Sequence, residues 1–92
     1  MKGYNFKFEI TADMIHNKHL KGNHLLVYAL IDHYTKVNGY YILSAQMLAD
    51  ILNLNVNTVY NCISSLCGIN HLIESEKVIT EDEHTILKLR TL

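Results

Sequence analysis

The fold of this chain is decided by one stretch, LADILNLNVNTVYNCISSL at residues 48–66, where two apolar patterns lie on either side of Asn53. In the second pattern, apolar side chains recur at i, i+3, i+4 and i+7, which predicts a helix whose buried face is Val59, Cys62, Ile63 and Leu66. Asparagine is, after glycine, the residue that best tolerates the left-handed backbone of a tight turn. Asn55 is an N-cap residue for the second helix. The stretch therefore predicts two helices joined by a tight turn.

Two further helices are indicated around this pair. Ser44 is an N-cap residue before a helix over Ala45–Leu52, whose inward residues are Leu48, Ile51 and Leu52. A longer helix is predicted over residues 23–36, and Asn38-Gly39 ends it because both residues tolerate positive φ. Its apolar face is formed by Leu26, Leu30, Tyr34 and Val37, and widened by Val27 and Ile31.

The two ends of the chain carry strand patterns. YNFKFEI at residues 4–10 alternates aromatic and polar residues and predicts a short strand, after which Thr11 caps a short helix that runs to Leu20. Residues 40–43 predict a second short strand. LIESEKVI at residues 72–79 and HTILKLRTL at residues 84–92 predict a hairpin around the polar tip TEDE. The predicted fold class is α+β, mostly α, in a single domain over residues 1–92.

Composition restricts the class of protein. The chain has 92 residues, of which 49% are hydrophobic and 18% are charged, enough for one small core. No apolar run approaches the ~20 residues of a membrane span, and MKGYNFKFEI lacks the apolar core of a signal peptide. We therefore expect an intracellular, cytoplasmic protein that does not bind a membrane.

Charge is distributed unevenly along the chain. The net charge is −1, whereas most dedicated duplex binders carry a basic surface, because phosphate neutralisation supplies much of their affinity. Residues 1–43 hold five lysines and three carboxylates, while residues 73–92 hold three basic and five acidic residues. A surface that faces phosphates would therefore involve the N-terminal half.

The predicted element order and residues 48–66 resemble the helix-turn-helix of bacterial winged-helix proteins. FEITADMI at residues 8–15 and LLVYALIDHYTKVNGYYILS at residues 25–44 extend the likeness to the N-terminal domain of phage replisome organisers and of DnaD-like or plasmid replication initiators. The resemblance implies a winged helix-turn-helix with a C-terminal β-hairpin wing. It further implies a DNA-binding protein of a phage, plasmid or other mobile element, acting in replication initiation or transcription regulation.

The chain departs from that family at two places. The second helix lacks the lysine or arginine usual in the family and instead carries Val56, Tyr60, Asn61, Ser64 and Ser65. The link to the wing, CGINHLI, places His71 where the family usually has glycine. The first departure bears on DNA affinity, and the second on where the helix ends.

The candidate DNA-binding residues lie on the second helix and on the N-terminal lysines. The helix offers hydrogen-bonding side chains that can meet base edges in the major groove, namely Asn57, Thr58, Tyr60, Asn61 and Ser64. Phosphate contacts are assigned to Lys18, Lys21 and Lys36. The expected partner is double-stranded DNA, bound by a homodimer.

The same neutral face, with Tyr60 and the acidic TEDE, also suits a protein partner. An assembly or interaction module with little DNA binding is therefore the alternative function.

Other chemistry is weakly indicated. HNKHLKGNH at residues 16–24 has two histidines three apart, a possible metal pair, but no third ligand at motif spacing. The segment is more consistent with a mildly basic loop that contacts a DNA backbone. Cys62 fits the core, and neither it nor Cys67 has an identifiable activating base. We expect no catalytic residue, no metal and no cofactor, and therefore not an enzyme.

Overall fold

The computed structural model of this protein describes residues 8–68, 71–79 and 85–92. Within these ranges the helices are α1 (Ala12–His16), α2 (Gly22–Asn38), α3 (Ala45–Leu52) and α4 (Val56–Gly68), and the strands are β1 (Tyr41–Leu43), β2 (Ile73–Ile79) and β3 (Thr85–Thr91). The predicted α+β class and the C-terminal antiparallel hairpin are confirmed. The predicted polar tip TEDE lies outside the described residues. None of the helices in these ranges is both long enough and apolar enough to cross a membrane.

The sheet has β3 in its centre, with the strand order β1-β3-β2, and both pairings are antiparallel. The inner face of the sheet contributes Ile73, Tyr41 and Leu89 to the core. Tyr41 and Leu89 are direct cross-strand partners, and both are fully buried. The outer face places Glu74 opposite Arg90, with which it forms an ion pair. The sheet is therefore apolar on the side that packs against helices and charge-balanced on the other.

Helix α2 is the central element of the core. It contacts α1, α3, α4, β1 and β3, so that every residue from 27 to 31 is buried. A single apolar stripe does not describe a helix covered on several sides. This is why Tyr28 and Ala29 belong to the core although the spacing does not select them. Leu26, which the spacing places on the buried face, is only half-buried.

The prediction that Val37 lies on the buried face is wrong, because its side chain is 66% exposed. At this end of α2, Thr35 rather than Val37 contacts the sheet. The backbone N–H of Thr91 donates to Thr35 Oγ1 at 3.1 Å, and the Thr91 hydroxyl donates to Asp32 at 3.0 Å. Polar contacts with β3 therefore set the orientation of the last turns of α2, and Val37 is left facing solvent.

The N-terminal segment differs from its prediction. Phe8 to Ile10 are not in a strand, and the rest of the predicted strand, residues 4–7, lies outside the described residues. Phe8 packs against the helical core instead of extending a sheet. Helix α1 ends at His16 rather than at Leu20, because His19 takes a left-handed backbone with φ 55°. That reversal lets the N–H of Leu20 donate to Met14 O at 3.0 Å and buries the Leu20 side chain.

The predicted caps are confirmed. Thr11 Oγ1 accepts from the backbone N–H of Met14 at 3.3 Å, and Ser44 Oγ accepts from that of Met47 at 3.2 Å. Gly39, with φ 86°, ends α2. Each cap satisfies a terminal backbone group that the helix itself leaves unpaired.

The turn between α3 and α4 has the predicted geometry. Asn53 is left-handed, with φ 55° and ψ 48°, and the N–H of Leu54 donates to Ala49 O at 2.8 Å. Asn55 Oδ1 accepts from the backbone N–H of Asn57 at 2.8 Å and so caps α4. All four residues predicted for the inner stripe of α4 are buried.

Replacing Asn53 by valine is expected to lower the free energy of unfolding by about 1–2 kcal/mol, because a left-handed backbone brings Cβ too close to the next carbonyl oxygen. Urea denaturation followed by circular dichroism measures the change. Asn53→Gly is the matched control, since it removes Cβ and should stay within about 1 kcal/mol of the native protein. Equal losses in both variants would show that the turn does not depend on this conformation.

The link from α4 to the hairpin contains a histidine with a left-handed backbone. His71 has φ 51°, and the N–H of the next residue, Leu72, donates to Leu66 O at 2.8 Å. Histidine is among the non-glycine residues that enter this region of backbone space most often. The link between α4 and β2 therefore contains a left-handed residue at His71.

Candidate nucleic-acid interface

The outward face of α4 is polar and uncharged. Opposite the buried stripe, Tyr60 is 49% exposed, Thr58 is half-buried, and the remaining predicted contacts, Asn57, Asn61 and Ser64, are exposed. Helix α4 contains no acidic or basic residue. Within the described part of the chain, the side-chain amides of Asn57 and Asn61 have no hydrogen-bond partner. This face can therefore donate and accept hydrogen bonds but supplies no charge.

The beginning of α2 lies beside this face. Lys21, Asn23 and His24 line an open groove of about 510 Å³ together with Thr58 and Asn61 of α4. The groove joins one of the three predicted lysines to two of the five predicted α4 residues. We define the α4 surface as Asn57, Thr58, Tyr60, Asn61 and Ser64 together with Lys21.

The end of α2 that borders the groove is electropositive. Lys21 is the N-cap and makes no side-chain hydrogen bond to the first turn, and that turn contains no acidic residue. The N-terminus of a helix carries a partial positive charge of about half an elementary charge from its aligned peptide dipoles. The Lys21 ammonium and this dipole therefore place positive potential next to the neutral α4.

Lys18 lies close to a carboxylate of its own segment. Its Nζ is 3.6 Å from Asp13 Oδ2. The side-chain hydrogen bond from Asn17, assisted by the charge of Lys18, lowers the pKa of Asp13. Asp13 is therefore ionised at neutral pH and offsets part of the positive charge that Lys18 could offer to a phosphate.

Lys36 is separated from the α4 surface. It stands fifteen residues after Lys21, so about 22 Å lies between them along α2. Its Nζ is 3.0 Å from Asp32 Oδ2, and the hydrogen bond to that carboxylate raises the pKa of Lys36. The structure thus brings Lys21 to α4 but places Lys36 at the opposite end of α2, bound to Asp32.

Asn23 and His24 line the groove but are not among the individually predicted DNA-binding residues. The predicted helix starts at residue 23, whereas α2 begins at Gly22. The signal for a contact surface was the mildly basic run at residues 16–24, whose C-terminal end lines the groove.

The two cysteines of α4 lie at least partly out of solvent. Cys62 is buried and Cys67 is half-buried, and burial raises the pKa of both thiols, so that the thiolate is the minor form at neutral pH. Among residues 8–68, 71–79 and 85–92, no group of three or more His, Cys, Asp or Glu could hold a metal ion.

Comparison with protein-family models, with curated proteins and with solved structures finds no significant match.

Proposed function

We propose that this chain is a small winged-helix DNA-binding protein in which α3 and α4 form a helix-turn-helix, α4 enters the major groove and β2–β3 form the wing. One observation carries the proposal: the exposed, hydrogen-bonding face of α4 lies beside the electropositive start of α2. The family resemblance supports a role in replication initiation or transcription regulation in a phage, plasmid or other mobile element.

The geometry suits a major groove. The groove of B-form DNA is roughly 12 Å wide and admits one α-helix, whose N-terminal residues then contact base edges. In α4 these residues are Asn57, Thr58 and Asn61, and Lys21 lies at their side. Base contacts from α4 and phosphate contacts from Lys21 would therefore be made together.

Affinity for phosphates should be modest. On the exposed face of β2–β3, Glu74 and Arg90 form an ion pair, so the described part of the wing adds little attraction for phosphates. A homodimer would present two copies of Lys21 and of the dipole at α2, and in this way a chain with a net charge of −1 would hold a duplex.

Fluorescence anisotropy with a random-sequence duplex in ~50 mM salt tests the proposal, and binding at micromolar protein is expected. With one or two lysine contacts per protomer, a dimer predicts a slope of log K against log[salt] of about −2 to −4. Absence of binding to any duplex under these conditions would overturn the proposed function.

Lys21→Ala is expected to weaken duplex binding several-fold for all sequences, since it removes a cation that neutralises a phosphate. The salt slope should become shallower by about 1 for each phosphate that is no longer neutralised. The matched control is Lys36→Ala, which removes the same charge at the far end of α2 and should leave binding nearly unchanged. Equal weakening in both variants would indicate a general charge effect rather than a contact at the α4 surface.

A protein-interaction module is the second candidate function. The observation that favours it is Tyr60, a half-exposed aromatic on a helix without cations, since tyrosine is enriched at protein interfaces. This function would be supported if a partner protein stays bound after nuclease treatment and is lost in Tyr60→Ala. The duplex titration should then show no binding. Retention of the partner by Tyr60→Ala would exclude α4 as its binding face.

A further inference from the structure

We infer that α4 recognises A·T base pairs in the major groove, with Asn57 and Asn61 each bonding an adenine; this inference rests on the proposed function. It specifies the class of DNA sequence that the α4 surface would select.

Helix α4 lacks the side chains that most often recognise G·C pairs. Guanine O6 and N7 are read most often by arginine or lysine, and the cytosine amino group by aspartate or glutamate. Helix α4 has none of these four residue types. Asparagine matches adenine, because its carbonyl accepts from N6 while its amide N–H donates to N7. The chemistry left on α4 therefore favours adenine.

The two asparagines are suitably placed for this contact. Asn57 and Asn61 are four residues apart, so they lie on one face of α4 about 6 Å apart along its axis. Both side chains are exposed, and within the described residues neither amide is engaged elsewhere. A base pair occupies ~3.4 Å along the duplex axis, so the two amides match adenines roughly two base pairs apart.

Thr58 adds a contact of the same specificity. It lines the groove with Asn61 and Lys21 and precedes Asn61 by about one helical turn. The threonine methyl is among the apolar groups that contact the C5-methyl of thymine. Lys21, on the other side of the groove, would bind phosphate and thereby fix the position of α4.

The inference can be tested with three duplexes of about 20 base pairs in ~50 mM salt: alternating A·T, alternating G·C and alternating inosine·cytosine. Inosine lacks the guanine 2-amino group, so its pair with cytosine resembles A·T in the minor groove and G·C in the major groove. We expect the A·T duplex to bind about tenfold or more tightly than the G·C duplex, and the inosine duplex to behave like G·C.

The outcomes separate this inference from the function on which it rests. Equal affinity for all three duplexes, or an inosine duplex that binds like A·T, would overturn major-groove reading while leaving DNA binding in place. Failure of all three duplexes to bind would overturn both.

Variants locate the preference on α4. The double variant Asn57→Ala/Asn61→Ala is expected to lose about tenfold or more in affinity for the A·T duplex while its affinity for G·C changes little. Asn38→Ala makes the same chemical change on an exposed residue at the far end of α2 and should keep the preference. A double variant that retains the full preference for A·T would overturn the inference.

Discussion

Leu48→Ala is expected to lower the free energy of unfolding by about 2–5 kcal/mol, because truncating a fully buried leucine removes packed atoms and leaves a cavity. Leu48 is 0% exposed on α3, which packs against both α4 and α2. In a domain of this size, the midpoint of thermal unfolding should fall by about 4–8 °C for each kcal/mol of destabilisation. Urea and thermal denaturation of the variant and the native protein measure the effect.

Val37→Ala is the matched control for Leu48→Ala. Both changes shorten an aliphatic side chain on a helix, but Val37 is 66% exposed. Its effect should remain within about 0.5 kcal/mol, as for most surface substitutions. A destabilisation at Val37 as large as that at Leu48 would contradict the described packing of α2 and favour the single apolar stripe that the spacing predicted.

Asn57→Asp is expected to weaken duplex binding about tenfold or more while it stabilises the fold. The carboxylate cannot donate to a base, and its charge repels the phosphates. Asn57 is the second residue of α4, where a negative charge interacts favourably with the helix dipole, by about 0.3–1 kcal/mol. Anisotropy and urea denaturation of one variant should therefore change in opposite directions.

Asn38→Asp separates a local effect from a change in net charge. It adds the same charge at the last residue of α2, where the helix dipole disfavours it by a similar few tenths of a kcal/mol. It should therefore destabilise the fold slightly and leave duplex binding almost unchanged. Equal weakening of binding by Asn57→Asp and Asn38→Asp would contradict contact at α4.

The helical turns of this fold are predictable because local chemistry specifies them. Asn53 takes a left-handed turn, Ser44 and Thr11 cap helices, and Gly39 ends α2, each through its own backbone or side chain. The error at Val37 lies where a distant contact decides the outcome. The exposure of Val37 depends on Thr35 meeting β3, which lies more than fifty residues away in sequence.

The candidate site is predictable in part for the same reason. The outward face of α4 follows from its buried stripe, so Asn57, Asn61 and Ser64 were correctly expected to be exposed. Sequence alone could not show which lysines lie near that face, because the approach of α2 to α4 is a tertiary contact. Lys21 and Lys36 carry the same charge, but α2 places only Lys21 beside α4, and Lys36 is paired with Asp32.

The most direct test of the account is a titration of isotope-labelled protein with duplex DNA, followed residue by residue through backbone amide resonances. We expect shifts concentrated at residues 21–24 and 57–65, with the region of Lys36 and the outer face of β2 little changed. Shifts centred on the hairpin or on the far end of α2, with α4 unaffected at saturating duplex, would contradict the proposal that α4 is the DNA-contacting helix.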